Sequence, residues 1–164
     1  MKGELKRAID GIKVFNLRGF NITLPYKEKV IEYVDCLDNI SKKIGAVNTI
    51  VNKNGKIYGF NTDGIGAIIS IEKSSRKIET TDKVVIMGAG GCSRAICSKV
   101  YSRTKNLVIV NRSMDEAHKV KKQLERWGGK GVRCLELNKD NLKKELISAN
   151  FITSTSRIHN TFVL

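Results

Sequence analysis

The turn in KVVIMGAGGCSRA places Gly88, Ala89, Gly90 and Gly91 between an apolar stretch and the start of a helical pattern. Glycines there permit a tight bend and let a pyrophosphate approach the backbone, where the free N–H groups of a helix N-terminus bind it. The third glycine of a strict G-x-G-x-x-G would fall where this chain has Ser93, so the turn takes its meaning from context. A short apolar strand at 84–87 precedes it and a helix to about 102 follows. A buried strand at 107–110, a helix at 114–127, a strand at 132–135, a helix at 141–147 and a strand at 151–153 complete the run. Such alternation predicts an α/β fold with a doubly wound parallel sheet, a Rossmann domain.

The end of the second strand bears on the ligand. A carboxylate there hydrogen-bonds the ribose 2′-hydroxyl of NAD. This chain has Asn111, Arg112 and Ser113 instead. A guanidinium fork and small polar donors suit a 2′-phosphate, which a carboxylate would repel. The expected cofactor is therefore NADP(H). Glu116, one turn into the next helix, opposes that binding unless it points away.

The N-terminal half has a different rhythm. Leu5, Ala8, Ile9 and Ile12 predict a short amphipathic helix. A strand over 19–24 sets Asn21 and Thr23 on one face and Ile22 and Leu24 on the other. Pro25, the only proline, suits the first turn of a helix expected over 26–35, which places Lys27 at the positive end of a helix dipole. A hairpin follows, 47–51 and 57–61 around Asn54-Gly55. Asp63 then reads as the cap of a helix at 65–71, and the polar stretch 72–82 as a domain boundary.

Composition narrows the function classes. A net charge of +14 favours anionic ligands, but the basic residues are dispersed, without an arginine block or basic–aromatic interleaving. A solvated lysine-rich surface is preferred to a nucleic-acid footprint. Cys36, Cys92, Cys97 and Cys134 form no C-x-x-C pair and have no histidine partners at ligand spacing, so reduced cysteines and no metal are expected. His118 and His159 read as surface residues. No stretch reaches transmembrane length and no signal peptide is evident, so a cytoplasmic chain without a membrane partner is expected.

Five blocks, NITLPYKE, GAVNT, GFNTDG, GAGGCSRA and NRS, occur in the order found in shikimate dehydrogenases, which the chain resembles from about residue 5 to 156. The resemblance implies a substrate domain over 1–78 and an NADP-binding Rossmann domain over 79–164. It implies NADPH-dependent, reversible reduction of 3-dehydroshikimate to shikimate, on the route to chorismate and the aromatic amino acids. Lys27 matches the family's catalytic lysine and Asp63 its aspartate partner; Asn21, Thr23, Asn48 and Thr62 match positions around the substrate's hydroxyl groups. Hydride transfer at a secondary alcohol requires a proton to move at its oxygen, a task a lysine can perform. The sequence leaves open which of Lys27 and Asp63 carries it, and whether quinate replaces shikimate.

Family members also carry a strand–helix–strand unit with a serine pair for the shikimate carboxylate, and no Ser-x-Ser precedes Asn21 here. A glycine of the family's last loop is absent near Thr155-Ser156, where Arg157 and Ile158 stand. Expected readings are thus an active dehydrogenase, an inactive NADP-binding remnant, and, as a minor alternative, a basic nucleic-acid-binding module. A substrate domain without its first strands exposes a sheet edge or face. Poor solubility or a homodimer is predicted, and a clean monomer in sedimentation would count against it.

Overall fold

The computed structural model describes residues 2–128 and 130–155. Ser156, Arg157, Ile158 and His159 lie outside the described residues. Two compact units part between Asp63 and Gly64.

In the first unit, α1 (Lys2–Val14) turns Leu5, Ile9 and Ile12 into a core shared with Ile22, Val30, Val47, Ile50 and Ile57. Ala8 is exposed. The sheet has the order β1-β3-β4-β2. Its centre is the expected hairpin, β3 (Thr49–Lys53) and β4 (Lys56–Phe60). Asn54 and Gly55 have φ of 53° and 82°, the conformation a two-residue hairpin turn needs. β1 (Gly19–Asn21) pairs antiparallel with β3, and β2 (Cys36–Leu37) runs parallel to β4. The six-residue α2 (Asn39–Ile44) is capped by Asp38, whose carboxylate accepts the Ser41 N–H at 2.8 Å.

Two expectations fail here. The strand stops at Asn21, so Leu24 is 65% exposed rather than facing inward with Ile22. No α-helix spans 26–35: a cis Leu24–Pro25 bond and turns lead into a 3₁₀ helix, Lys29–Tyr33. Lys27 therefore precedes that 3₁₀ helix rather than sitting in the first turn of an α-helix of its own. The reason is tertiary pairing. Asp35 donates its N–H to the Ile57 carbonyl and accepts the Ile57 N–H on its carboxylate, at 2.9 and 2.7 Å. The chain must straighten after Tyr33 to make those bonds, leaving too few residues for a stable helix.

The second unit matches expectation closely. Its parallel sheet has the order β7-β6-β5-β8. The strands are β5 (Val84–Met87), β6 (Leu107–Asn111), β7 (Arg133–Glu136) and β8 (Phe151–Ser154). Between them run α4 (Gly91–Tyr101), α5 (Met114–Glu125) and α6 (Lys139–Ile147). Val84, Ile86, Leu107 and Ile109 join one core cluster, and Val85, Val108 and Val110 another, so β5 and β6 are apolar on both faces.

Helix α3 (Asp63–Ser74) lies almost wholly in the second unit, against α4. Gly64 makes this possible: a Cβ there would sit 2.4 Å from the Ala95 carbonyl oxygen. The polar stretch 72–82 is closed by Asp82, which accepts hydrogen bonds from the two terminal guanidinium nitrogens of Arg76 at 2.7 Å and from the Glu79 N–H.

One buried carboxylate ties α6 to the sheet. Glu145, 3% exposed, accepts Lys83 at 2.6 Å and a two-pronged Arg133 at 2.8 and 3.0 Å. Burial opposes its charge, but the Arg133 and Lys83 hydrogen bonds outweigh burial and hold the carboxyl below its ordinary value of 4.5. A carboxyl lowered in the folded state stabilises above its unfolded value, and that contribution is lost as pH falls through the folded one. Glu145→Gln should cost about 2 kcal/mol in denaturant titrations at pH 7, with the difference shrinking below about pH 4.

Candidate functional site

The first unit gathers four of the expected residues. Lys27 Nζ donates to Asp63 Oδ2 at 2.8 Å, and each side chain keeps 14% of its surface exposed. Asn48 Nδ2 donates to the other oxygen, Oδ1, at 2.7 Å and to Thr62 Oγ1 at 3.0 Å. Asn48 Oδ1 accepts the Thr62 N–H at 3.0 Å and the Thr49 hydroxyl at 2.8 Å. Backbone N–H groups only donate, so this pattern sets the amide with its nitrogen toward the carboxylate.

Local structure explains the placement. Asn48 precedes β3, and its N–H bonds the Phe60 carbonyl across the hairpin at 3.0 Å. Its carbonyl accepts the Ile22 N–H at 2.7 Å, which brings Asn21 and Thr23, the neighbours of Ile22, alongside it. Both of those side chains are exposed. Asp63 is the first residue of α3, and its carboxylate faces Lys27 and Asn48. The cluster can move a proton at a polar group brought against it, since an ammonium and a carboxylate share a hydrogen bond at a partly exposed surface. Among the described residues, no group of three or more His, Cys, Asp or Glu could hold a metal ion, and no helix is long and apolar enough to cross a membrane.

The glycine turn of the second unit has the shape a pyrophosphate needs. Gly88 takes a φ of 113°, donates its N–H to Val110 at 2.9 Å and accepts the Ser93 hydroxyl on its carbonyl at 2.6 Å. Gly90 precedes α4 with no side-chain cap, and a Cβ there would meet nothing within 4 Å. Open space therefore adjoins Gly90 where α4 begins without a side-chain cap, a setting in which helix N–H groups can take a phosphate. Ser93 is fully buried and one turn from Cys97, whose thiol is pushed up to about 12 by burial, with the Ser93 contact opposing.

After β6, Arg112 is exposed, Asn111 Nδ2 donates to the Ser113 carbonyl at 2.9 Å, and Ser113 caps α5. Glu116 pairs with Lys119 at 2.6 Å, so its charge is offset by a cation on its own helix. A 2′-phosphate is compatible with this loop.

Sequence reasoning passed over three residues. Ser93 read as a flaw in the glycine motif, yet it pins the turn. Thr49 and Asn61 stand inside the GAVNT and GFNTDG blocks, and only burial and hydrogen bonding set them apart.

These features define a two-unit α/β chain whose second unit is a Rossmann-type fold. Comparison with known proteins makes the assignment narrower. Residues 1–50 match the family model for the shikimate dehydrogenase substrate binding domain, and 72–163 that for shikimate / quinate 5-dehydrogenase. The shikimate dehydrogenase (NADP(+)) of Carboxydothermus hydrogenoformans is 41% identical over 134 residues, covering 82% of this chain and 47% of that protein. The Bacillus cereus (strain 03BB102) enzyme is 37% identical over 155 residues, 94% of this chain and 54% of its own length. A solved shikimate dehydrogenase in complex with NADP+ superposes with a TM-score of 0.84 at 34% identity, over 95% of this chain and 53% of that one. Listeria monocytogenes shikimate 5-dehydrogenase, in complex with shikimate and NAD, gives 0.77 at 29% identity, over 94% and 55%. The chain belongs to the shikimate dehydrogenase family, and it spans about half the length of the curated relatives it matches.

Ser93→Ala leaves the Gly88 carbonyl without its buried donor. It should lower stability by about 1–3 kcal/mol, measured by thermal or denaturant unfolding.

Proposed function

We propose that this chain catalyses the reversible, NADPH-dependent reduction of 3-dehydroshikimate to shikimate. The observation that carries the reading is the partly exposed Lys27–Asp63 pair at 2.8 Å with Asn48 on the second carboxylate oxygen. When bound, NADPH would supply the hydride for reduction and NADP+ would accept it in the reverse direction. Lys27 presents its ammonium to the reacting oxygen and exchanges the proton there, while Asp63 keeps Lys27 in place and shares that proton. Asn48 and Thr62, with Asn21 and Thr23 on the neighbouring segment, offer donors and acceptors to the ring hydroxyls. The exposed Arg112 next to the Ser113 cap supports NADP over NAD, because no carboxylate occupies residues 111–113. Relatives named as NADP-dependent shikimate dehydrogenases support the same substrate class. The reading places the chain in the cytoplasm, acting on a small molecule rather than on nucleic acid or membrane.

The test is shikimate-dependent reduction of NADP, followed by nicotinamide absorbance. Lys27→Ala should lower kcat by about 10³-fold. Arg112→Ala should raise the KM for NADP by about tenfold and leave that for NAD little changed. Undiminished turnover in Lys27→Ala would remove the proposed role. A native chain that binds NADPH and turns over no shikimate would be a family member that keeps the cofactor site without the chemistry.

A further inference from the structure

Asn61 has no part in the reading above, yet it is only 7% exposed and both ends of its amide are engaged. Its Oδ1 accepts the backbone N–H of Asp63 at 3.1 Å, and its Nδ2 donates to the Ala46 carbonyl at 3.0 Å. The other side of that same peptide group, the Val47 N–H, donates to the Lys27 carbonyl at 2.7 Å. Ala46 and Val47 are fully buried, and the peptide group between them is planar and stiff. Three hydrogen bonds and one rigid peptide thus connect the main chain of Asp63 to that of Lys27. The amide fits in one orientation only, because the Asp63 N–H can only donate and the Ala46 carbonyl can only accept.

A lysine side chain has many rotamers, and a short ion pair persists only if the two backbones keep their separation. The Lys27–Asp63 pair spans 36 positions of sequence, so contacts between distant segments must set its separation. We propose that Asn61 is a positioning residue of the reaction: through the Ala46–Val47 peptide it couples the backbones of Lys27 and Asp63 and keeps the proton-transfer pair in register. The proposal rests on the proton-transfer reading of that pair. Its test has one arm that does not depend on activity.

The first arm is amide hydrogen exchange, read by NMR on the full chain. Asn61→Ala removes both bonds, so the amides of Asp63 and Val47 should exchange about 100-fold faster while the β3–β4 ladder keeps its protection. Asn61→Asp retains an acceptor but no donor, so the Asp63 amide should stay slow while the Val47 amide speeds up. This second variant decides the matter if the alanine variant does not fold. The second arm is kinetic: Asn61→Ala should lose about tenfold or more in kcat, with the KM for NADP within about threefold of native. Native exchange at Asp63 and Val47, or native kcat, in Asn61→Ala overturns the proposal. Uniformly faster exchange through both sheets also overturns it, since that would mark a support of general stability. If the native chain turns over no shikimate, the activity reading fails alone and the exchange arm still decides.

Discussion

Each oxygen of Asp63 takes one donor, Lys27 on one and Asn48 on the other, and much of the first unit exists to keep those donors in place. A carboxylate with 14% of its surface exposed loses much of its water, so charge-assisted hydrogen bonds must replace that hydration. The two donors come from different parts of the chain, and backbone pairing has to bring them together. The Asn48 N–H bonds Phe60 across the hairpin, the Asn48 carbonyl holds Ile22, and the Val47 N–H holds Lys27. The apolar core of Val30, Val47, Ile50 and Ile57 keeps water away from those backbone bonds.

The second unit answers a different constraint. A parallel sheet covered on both faces needs strands that are apolar throughout, and β5 and β6 meet it with unbroken runs of Val, Ile and Leu. At the end of β5 the chain must turn directly into α4. Gly88 adopts a backbone angle that side chains resist, and the buried Ser93 hydroxyl holds its carbonyl. The position that departs from the strict glycine motif is therefore part of what shapes the turn. At the opposite end of the unit, Glu145 gathers Lys83 and Arg133 and secures α6. This polar contact reinforces a core that apolar burial has already built.

Legibility followed the length and regularity of each element. The strands and helices of the second unit were readable because apolar runs alternate with amphipathic stretches long enough to show a period. The 54–55 turn and its flanking strands were readable from Asn-Gly between β-formers. Where the signal was a turn or two, it misled. Val30, Ile31 and Val34 have helical spacing, yet pairing of Asp35 with Ile57 draws that segment into a 3₁₀ helix and then an extended strand. The two-residue β2 and six-residue α2 were too short to stand out. Helix α3 grouped with the second unit because Gly64 has no side chain to hold it off Ala95.

The residue types of the candidate site were visible in one dimension: a lysine, an aspartate, two asparagines and two threonines in ordered blocks, with a glycine turn and an arginine loop downstream. Sequence alone determined the α/β class, the alternation of the second unit and the family, because those depend on local periodicity and on the order of short motifs. Tertiary structure decided that Lys27 and Asp63 meet at 2.8 Å, that Asn48 presents its nitrogen to the carboxylate, and that Asn61 and Ser93 carry hidden hydrogen bonds. The physical reason is that a hydrogen bond is set by distance and direction between groups many residues apart. No pattern along the chain encodes those directions until the sheet register is formed.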